Sequence, residues 1–387
     1  MVAAPALAVT AETRSIDDAL QAAAEAGLRY VSDTERGLTR VKASGGFEYR
    51  DHRGDPIHDE ATLARIRALA IPPAYTDVWI CPRPDCHLQA TGRDARGRKQ
   101  YRYHPRWQEV RGDGKFDRVV AFGEALPRLR RRLARDLALT GFPRPKVQAI
   151  VVALMAATLV RIGNDEYARS NKSFGLTTLR NRHVEFVRGG RVRLRFRGKG
   201  GLSHDIALDD ARLARLIRRC QQLPGQALFQ YRDDDGNFQP VDSGEINEYL
   251  REAMGEGFTA KDFRTWGGTL AAFQCLATTA LPGAGEAAAT APSERALVAA
   301  QNTVIADVAR TLGNTPAVCR KAYIDPAVFA GWRDGRLQQA AQGARGVRQW
   351  EQAALRFLKT ARRAEARAAR GKRTRPRTAP ASTLHRP

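Results

Sequence analysis

The sequence is short of cysteine, of long apolar runs and of acidic clusters, and each shortage excludes something. Five Cys occur in 387 residues. Cys81 and Cys86 stand in CPRPDC with four residues between them and no second pair follows, which argues against a zinc site. The two read as free thiols in a loop, and so few cysteines in a basic chain suit a reducing cytoplasm. No run approaches the ~20 apolar residues of a membrane span. The start, MVAAPALAVTAETRS, lacks a positive n-region and a long apolar core, so residues 1–25 read as a disordered leader rather than a signal peptide. No Asp, Glu and His cluster suggests a metal; the nearest, Asp165-Glu166-Tyr167, lies in a plain charged surface stretch. No GxxxxGK[ST] is present, which argues against ATP use. The chain thus reads as needing no cofactor, and no internal repeat is visible.

What is abundant is positive charge. Lys and Arg total 64 against 41 Asp and Glu, a formal net charge of +23. Charge of that size favours polyanions, nucleic acid above all, without separating enzymes from packaging proteins. From about residue 360 to the end stand nine Lys or Arg and one Glu, so +8 belongs to a tail that reads as disordered and +15 to residues 1–359. The length suits two folded units.

The pattern changes near residue 118. Before it, TRVKASGGFEYRD reads as a hairpin turning at Gly45-Gly46, Asp59 caps a short helix, VWICP is a buried strand, and alternating residues follow the GRDARG loop. After it, helices dominate. KVQAIVVALMAATLVRIG turns Val147, Ile150, Val151, Leu154 and Thr158 inward and reads as ending at Gly163. HVEFVRGGRVRLRFRGKGGLSHDIAL is a β segment with turns at Gly189-Gly190 and at GKGG. Thr259 and Asp262 form a capping box. LPGAGEAAATAPSE is a connector. Thr315 and Pro316 open a helix that carries Tyr323 about two turns in, and residues 334–358 read as further helix. The expected fold is α+β: a β-rich unit over 26–118, a helical unit over 119–359 bearing a small hairpin sheet, and a basic tail over 360–387.

Within that frame, Arg161 lies at a helix end, Lys199 at a glycine-flanked hairpin tip, Lys261 and Arg264 in a helix start, Asn314 after a helix stop, and Tyr323 nine residues later. Each alone is unremarkable. Together they suit transfer of a phosphodiester to a phenol. Two Arg forks can hold the non-bridging oxygens, a Lys whose pKa is lowered by nearby Arg charges could protonate the leaving 5′-oxygen, and Asn can donate a hydrogen bond without transferring a proton.

LVRIGNDEYARSNKSFGLTTLRNRHV, FRGKGG, KDFRTW and LGNTPAVCRKAY together resemble the type IB topoisomerase catalytic core, bacterial and poxvirus kind, in order along the chain. GFEYRDHRGDPI, LAIPPAYTDVWICP and HLQATGRDARGRKQYRYH resemble that family's N-terminal β domain. The resemblance runs from about Tyr30 to Leu358. It implies a monomer that closes as a C-shaped clamp on double-stranded DNA and relaxes supercoils without ATP or metal, in a bacterial cytoplasm at the nucleoid. Carried over residue by residue, Tyr323 is the nucleophile forming a 3′-phosphotyrosyl link, and Arg161, Arg264, Lys199, Lys261 and Asn314 serve it. Gln100, Tyr101 and Tyr103, with Arg98 and Lys99 beside them, would contact DNA. Three positions depart from the pattern: Asn314 stands where many members have His, Gly200 where viral and eukaryotic members have an acidic residue, and Cys86 where a small turn residue is expected. A tyrosine recombinase, with His three residues before the second Arg where this chain has Lys261, and a non-catalytic basic DNA-binding protein are the alternatives.

Overall fold

The computed structural model describes residues 20–95, 97, 99–107, 116–188, 191–255, 257–282 and 293–373. The predicted leader up to residue 19, Arg98, the Gly189-Gly190 turn, the connector core at 283–292 and the tail from 374 lie outside the described residues. The chain divides into two compact units, Met1–Phe116 and Asp117–Pro387, and is α+β.

The first unit is built on an antiparallel sheet of β1 (Leu38–Ala43), β2 (Gly46–Arg50), β3 (Thr76–Ile80), β4 (Leu88–Arg93) and β5 (Lys99–Tyr103), in the order β2-β1-β3-β4-β5. β1 and β2 form the predicted hairpin, with Ala43 opposite Gly46. Helix α1 (residues 20–25) occupies part of the expected disordered leader. Ala23 and Leu28 bury against Trp107, which gives that segment an apolar reason to fold. Helix α2 (Glu60–Ala68) is capped by Asp59, whose carboxylate accepts the Thr62 N–H. Its Ile66 joins Leu38, Val78, Ile80 and Ala90 in the sheet's core.

The expectation of free thiols at Cys81 and Cys86 is corrected: the two are joined in a disulfide. Loop chemistry brings their Cα atoms to 6.5 Å, within bridging range. Gln89 Nε2 donates to Pro84 O and Cys86 O, and Arg65 Nη2 donates to Cys81 O at 2.8 Å. These bonds fold CPRPDC back on itself, which the bare spacing does not reveal.

The second unit is mainly helical, with α3 (Asp117–Leu137), α4 (Arg144–Thr158), α5 (Asp165–Asn171), α6 (Ala211–Gln221), α7 (Ser243–Met254), α8 (Ala260–Thr278), α9 (Glu294–Leu312), α10 (Pro316–Ala322), α11 (Pro326–Arg333), α12 (Arg336–Ala341) and α13 (Gly346–Arg373). A sheet of β6 (Val184–Val187), β7 (Arg191–Arg197) and β8 (Ser203–Leu208) carries the Lys199 hairpin, and β9 (Gln230–Arg232) pairs with β10 (Phe238–Pro240). α4 is buried along most of its length, as its apolar run demands. Residues 334–358 are mostly helical, as expected, divided between α12 and α13. The last, α13, passes the expected boundary at 359 and reaches Arg373. Ala361 buries and Arg362 pairs with the fully buried Asp325, so the start of the basic tail is packed helix.

Candidate active site

α4 ends at Thr158, because Leu159 turns the chain at φ 55°. The stop therefore precedes Arg161 instead of following it at Gly163. Leu159 can occupy this bend because Gly267 in α8 offers no side chain: a methyl there would lie 2.5 Å from Leu159 Cδ1. Beyond the bend, residues 161–163 run beside 175–177. Leu176 N–H donates to Arg161 O at 3.0 Å and Thr177 N–H to Ile162 O at 2.7 Å. Gly163 and Gly175 pass so closely that a methyl on Gly175 would stand 2.5 Å from Gly163 Cα. Phe174 N–H, in turn, donates to Arg197 O on β7 at 2.7 Å. Arg161 thus hangs from a segment tied to the hairpin sheet.

Helix C-termini hold both arginines. Such ends leave carbonyls without intrahelical partners and carry partial negative charge, so they suit guanidinium donors. Arg264, in the second turn of α8 and 4% exposed, donates to Leu312 O at 2.7 Å and to Leu159 O. Gly313 closes α9 in the left-handed region, at φ 58°. Arg161 donates to Gly313 O at 3.4 and 3.5 Å, and to Asn314 Oδ1. Burial, then the charge of Arg264, depresses the Arg161 pKa.

Tyr323 lies about two turns after Pro316, as expected, and is the C-cap of α10, its backbone at φ −133°. Its N–H donates to Cys319 O at 3.0 Å, and its carbonyl accepts from Thr269 Oγ1 at 3.2 Å. Gly268 lets this backbone lie directly on α8; a methyl there would be 2.8 Å from Tyr323 O. Arg264 and Gly268 are four residues apart and so share a helix face. That face holds the tyrosine backbone with one residue and covers its ring with the other, the guanidinium carbon being 5.1 Å from the ring centroid. Burial pushes the Tyr323 phenol up. The charge and hydrogen bond of Arg264, the charge of Arg161 and the amide of Asn314 outweigh it, and the net shift is downward. Asn314 Nδ2 and Arg264 Nε are buried donors that meet no acceptor in strict hydrogen-bond geometry among the described residues, although the Asn314 amide lies close enough to Tyr323 to favour its anion. Two guanidinium groups, a buried amide donor and a phenol shifted toward its anion can receive and bind an anionic oxygen group.

Comparison with known proteins gives this geometry a family. Residues 104–335 match the eukaryotic DNA topoisomerase I catalytic core, and residues 46–94 match the bacterial DNA topoisomerase IB N-terminal domain. DNA topoisomerase 1B of Acanthamoeba polyphaga mimivirus is 33% identical over 293 residues, covering 74% of this chain and 85% of the relative. The chain belongs to the type IB DNA topoisomerase family. DNA topoisomerase 1B of vaccinia virus (strain Copenhagen) and DNA topoisomerase I of monkeypox virus are each 22% identical over 292 residues, covering 72% of this chain and 85% of the relative.

Of the positions singled out from the sequence of this type IB topoisomerase, the structure brings Arg161, Arg264, Asn314 and Tyr323 together. Lys199 lies at the predicted hairpin tip and Lys261 in the first turn of α8. Both are exposed, and neither makes a side-chain hydrogen bond or ion pair among the described residues. In the first unit the expected DNA contacts Lys99, Gln100, Tyr101 and Tyr103 fall on β5, an edge strand. Lys99 pairs with Asp33 at 2.5 Å and Gln100 donates to Asp94 at 2.9 Å, so both are engaged within the unit. Tyr101 is exposed and stacks on Tyr103 at 5.9 Å. Among the described residues no group of three His, Cys, Asp or Glu could hold a metal ion, and no helix is long and apolar enough to cross a membrane.

Sequence reasoning missed Gly267 and Gly268. The available signal was a glycine pair inside an otherwise apolar helix, which costs helix stability unless something packs against it. It also missed His204, whose ring reaches Gly313 from β8.

Proposed function

We propose that this type IB topoisomerase relaxes supercoiled double-stranded DNA by nicking one strand through Tyr323, with no ATP and no metal. The observation that carries the reading is the phenol of Tyr323 enclosed by Arg264, Arg161 and Asn314, whose combined effect favours its ionised form. Its oxygen attacks the scissile phosphorus and the phenol proton passes to water. The bond from phosphorus to the 5′-oxygen breaks, leaving a 3′-phosphotyrosyl link and a 5′-hydroxyl. Arg161 and Arg264 hold the non-bridging oxygens, and Asn314 donates a hydrogen bond to one of them. Each such preorganised donor is worth ~3–4 kcal/mol in the transition state. Lys199 gives the departing 5′-oxygen its proton, with Lys261 relaying. The free end rotates, and reversal of the step reseals the strand.

The β-rich unit is the DNA-binding domain in this reading, and the helical unit is the catalytic one. Tyr101 and Tyr103, flanked by Arg98, Lys99 and Gln100, contact DNA from β5. Lys99 and Gln100 must exchange Asp33 and Asp94 for phosphate or base edges to do so. The protein acts as a monomer on the nucleoid of a bacterial cytoplasm. Supercoiled plasmid with EDTA and no ATP tests the whole reading. Relaxation supports it; strand exchange between specific sites, or binding without relaxation, contradicts it.

A further inference from the structure

His204 lies outside the set of groups assigned above, yet it touches both loops that carry them. It faces Phe196 across the β7–β8 pair, and the two rings stack at 4.8 Å and 14°. On the same face, the imidazole fills the space that side chains would take at two glycines. A methyl at Gly198 would stand 2.5 Å from His204 Nε2, and one at Gly313 would stand 2.6 Å from Cε1. Leu202 adds a second contact, its Cδ2 being 3.0 Å from the same point on Gly313. Gly198 immediately precedes Lys199, and Gly313 immediately precedes Asn314. Gly313 also lends its carbonyl to Arg161. The ring makes no hydrogen bond among the described residues, so shape holds it there. Burial, then the charges of Arg161 and Arg264, lowers its pKa. The ring is therefore neutral at neutral pH and can lie beside two guanidinium groups.

We infer that His204 is a positioning residue for strand cleavage: wedged between Gly198 and Gly313, its ring sets the Lys199 hairpin against the turn that presents Asn314. The hairpin tip is closed by Gly198 N–H donating to Leu202 O at 2.7 Å and Gly201 N–H to Gly198 O at 3.0 Å, bonds within the tip that do not set it against Gly313. Lys199 is exposed, and Gly200 and Gly201 both adopt left-handed backbone, at φ 77° and 82°. Without the wedge, β8 and the tip lose their seat on Gly313, and the lysine loses its alignment with the leaving oxygen. The inference rests on Lys199 being the general acid.

That dependence provides the test. A cleavage site is first mapped on plasmid. Single-turnover cleavage is then measured on a duplex carrying it, with an ordinary scissile phosphate and with sulfur in place of the 5′-bridging oxygen. A thiolate leaving group needs no proton. His204→Ala should cleave the ordinary duplex roughly ten- to a hundredfold more slowly, as for loss of alignment by about an ångström. Sulfur should restore it to near the wild-type rate, as it should Lys199→Ala but not Asn314→Ala. His204→Phe keeps a flat ring on Phe196 and should be impaired less than His204→Ala. Should His204→Ala fail to fold, His204→Gln, which keeps bulk without the ring, enters the same comparison. Equal impairment on both substrates, or wild-type cleavage of the ordinary one, overturns the role of His204. If sulfur rescues Lys199→Ala and not His204→Ala, the inference falls while the assignment of Lys199 stands. If it rescues neither, both fall.

Discussion

Gly268→Ala is the most revealing single change, because it adds one methyl to the seat of Tyr323 and removes no chemical group. The new carbon would lie 2.8 Å from Tyr323 O, 3.2 Å from Tyr323 Cβ and 3.2 Å from Leu312 Cδ1. To reach ordinary contact at 3.4 Å, the tyrosine backbone must retreat by about 0.6 Å. Two energetic terms then oppose each other. Alanine gains ~1 kcal/mol of helix propensity over glycine, while overpacking costs ~1–3 kcal/mol. Net stability should change by no more than ~2 kcal/mol. The rate should suffer far more, since a misplacement of this order costs up to ~100-fold. The phenol moves relative to an Arg264 guanidinium that stays fixed by Leu159 O and Leu312 O. The assay is the time course of covalent adduct in SDS gels, run beside thermal unfolding of the same preparation. A folded Gly268→Ala protein that cleaves within about twofold of wild type would refute the claim that this glycine seats the nucleophile.

Further outcomes follow from the same geometry. Asn314→Ala should slow cleavage by roughly ten- to a thousandfold, as for loss of one transition-state donor, while Asn314→His should keep much of the rate in the same single-turnover assay. Arg362→Met should destabilise the helical unit by ~3 kcal/mol or more, read from its denaturant midpoint, because it strips an ionic partner from the fully buried Asp325. Stability should also fall with acid between about pH 6.5 and 4. Burial, then Arg182 and Arg180, pushes His183 down to about 4, so across that window the unfolded chain takes up a proton that the native chain refuses. The contribution is fully present above pH 6.5 and is lost on descending toward pH 4, at most ~3 kcal/mol in all. His183→Asn should flatten that part of the pH profile; an unchanged slope would remove His183 as its cause.

Local signals carried much of the fold. The Gly45-Gly46 hairpin, the Asp59 cap, the Thr259–Asp262 capping box and the buried face of α4 all depend on residues close in sequence, and all are present. Errors arose where distant contacts overrode local preference. Leu159 ends α4 because Gly267, more than a hundred residues away, leaves room for it. α13 extends into the basic tail because Asp325 provides an ionic partner for Arg362. Cys81 and Cys86 meet because Arg65 and Gln89 fold their loop. The place of Tyr323, about two turns after Pro316, was legible; its role as the C-cap of α10, where Thr269 Oγ1 donates to the tyrosine carbonyl, was not. For the candidate site, the charged and nucleophilic groups were legible as residue types at particular spacings. The surfaces that bring them together were not, since glycines and a neutral histidine signal packing rather than chemistry.

Whether Tyr323 is the nucleophile is decided by where the covalent adduct forms. The direct measurement incubates wild-type protein and Tyr323→Phe with supercoiled plasmid in EDTA, stops the reaction with SDS, and maps the DNA-linked peptide. Wild type should yield DNA joined through its 3′-phosphate to the peptide containing Tyr323, and the phenylalanine variant should bind plasmid equally well yet form no adduct. An adduct that persists in the variant, or one that maps to another tyrosine, would contradict the account.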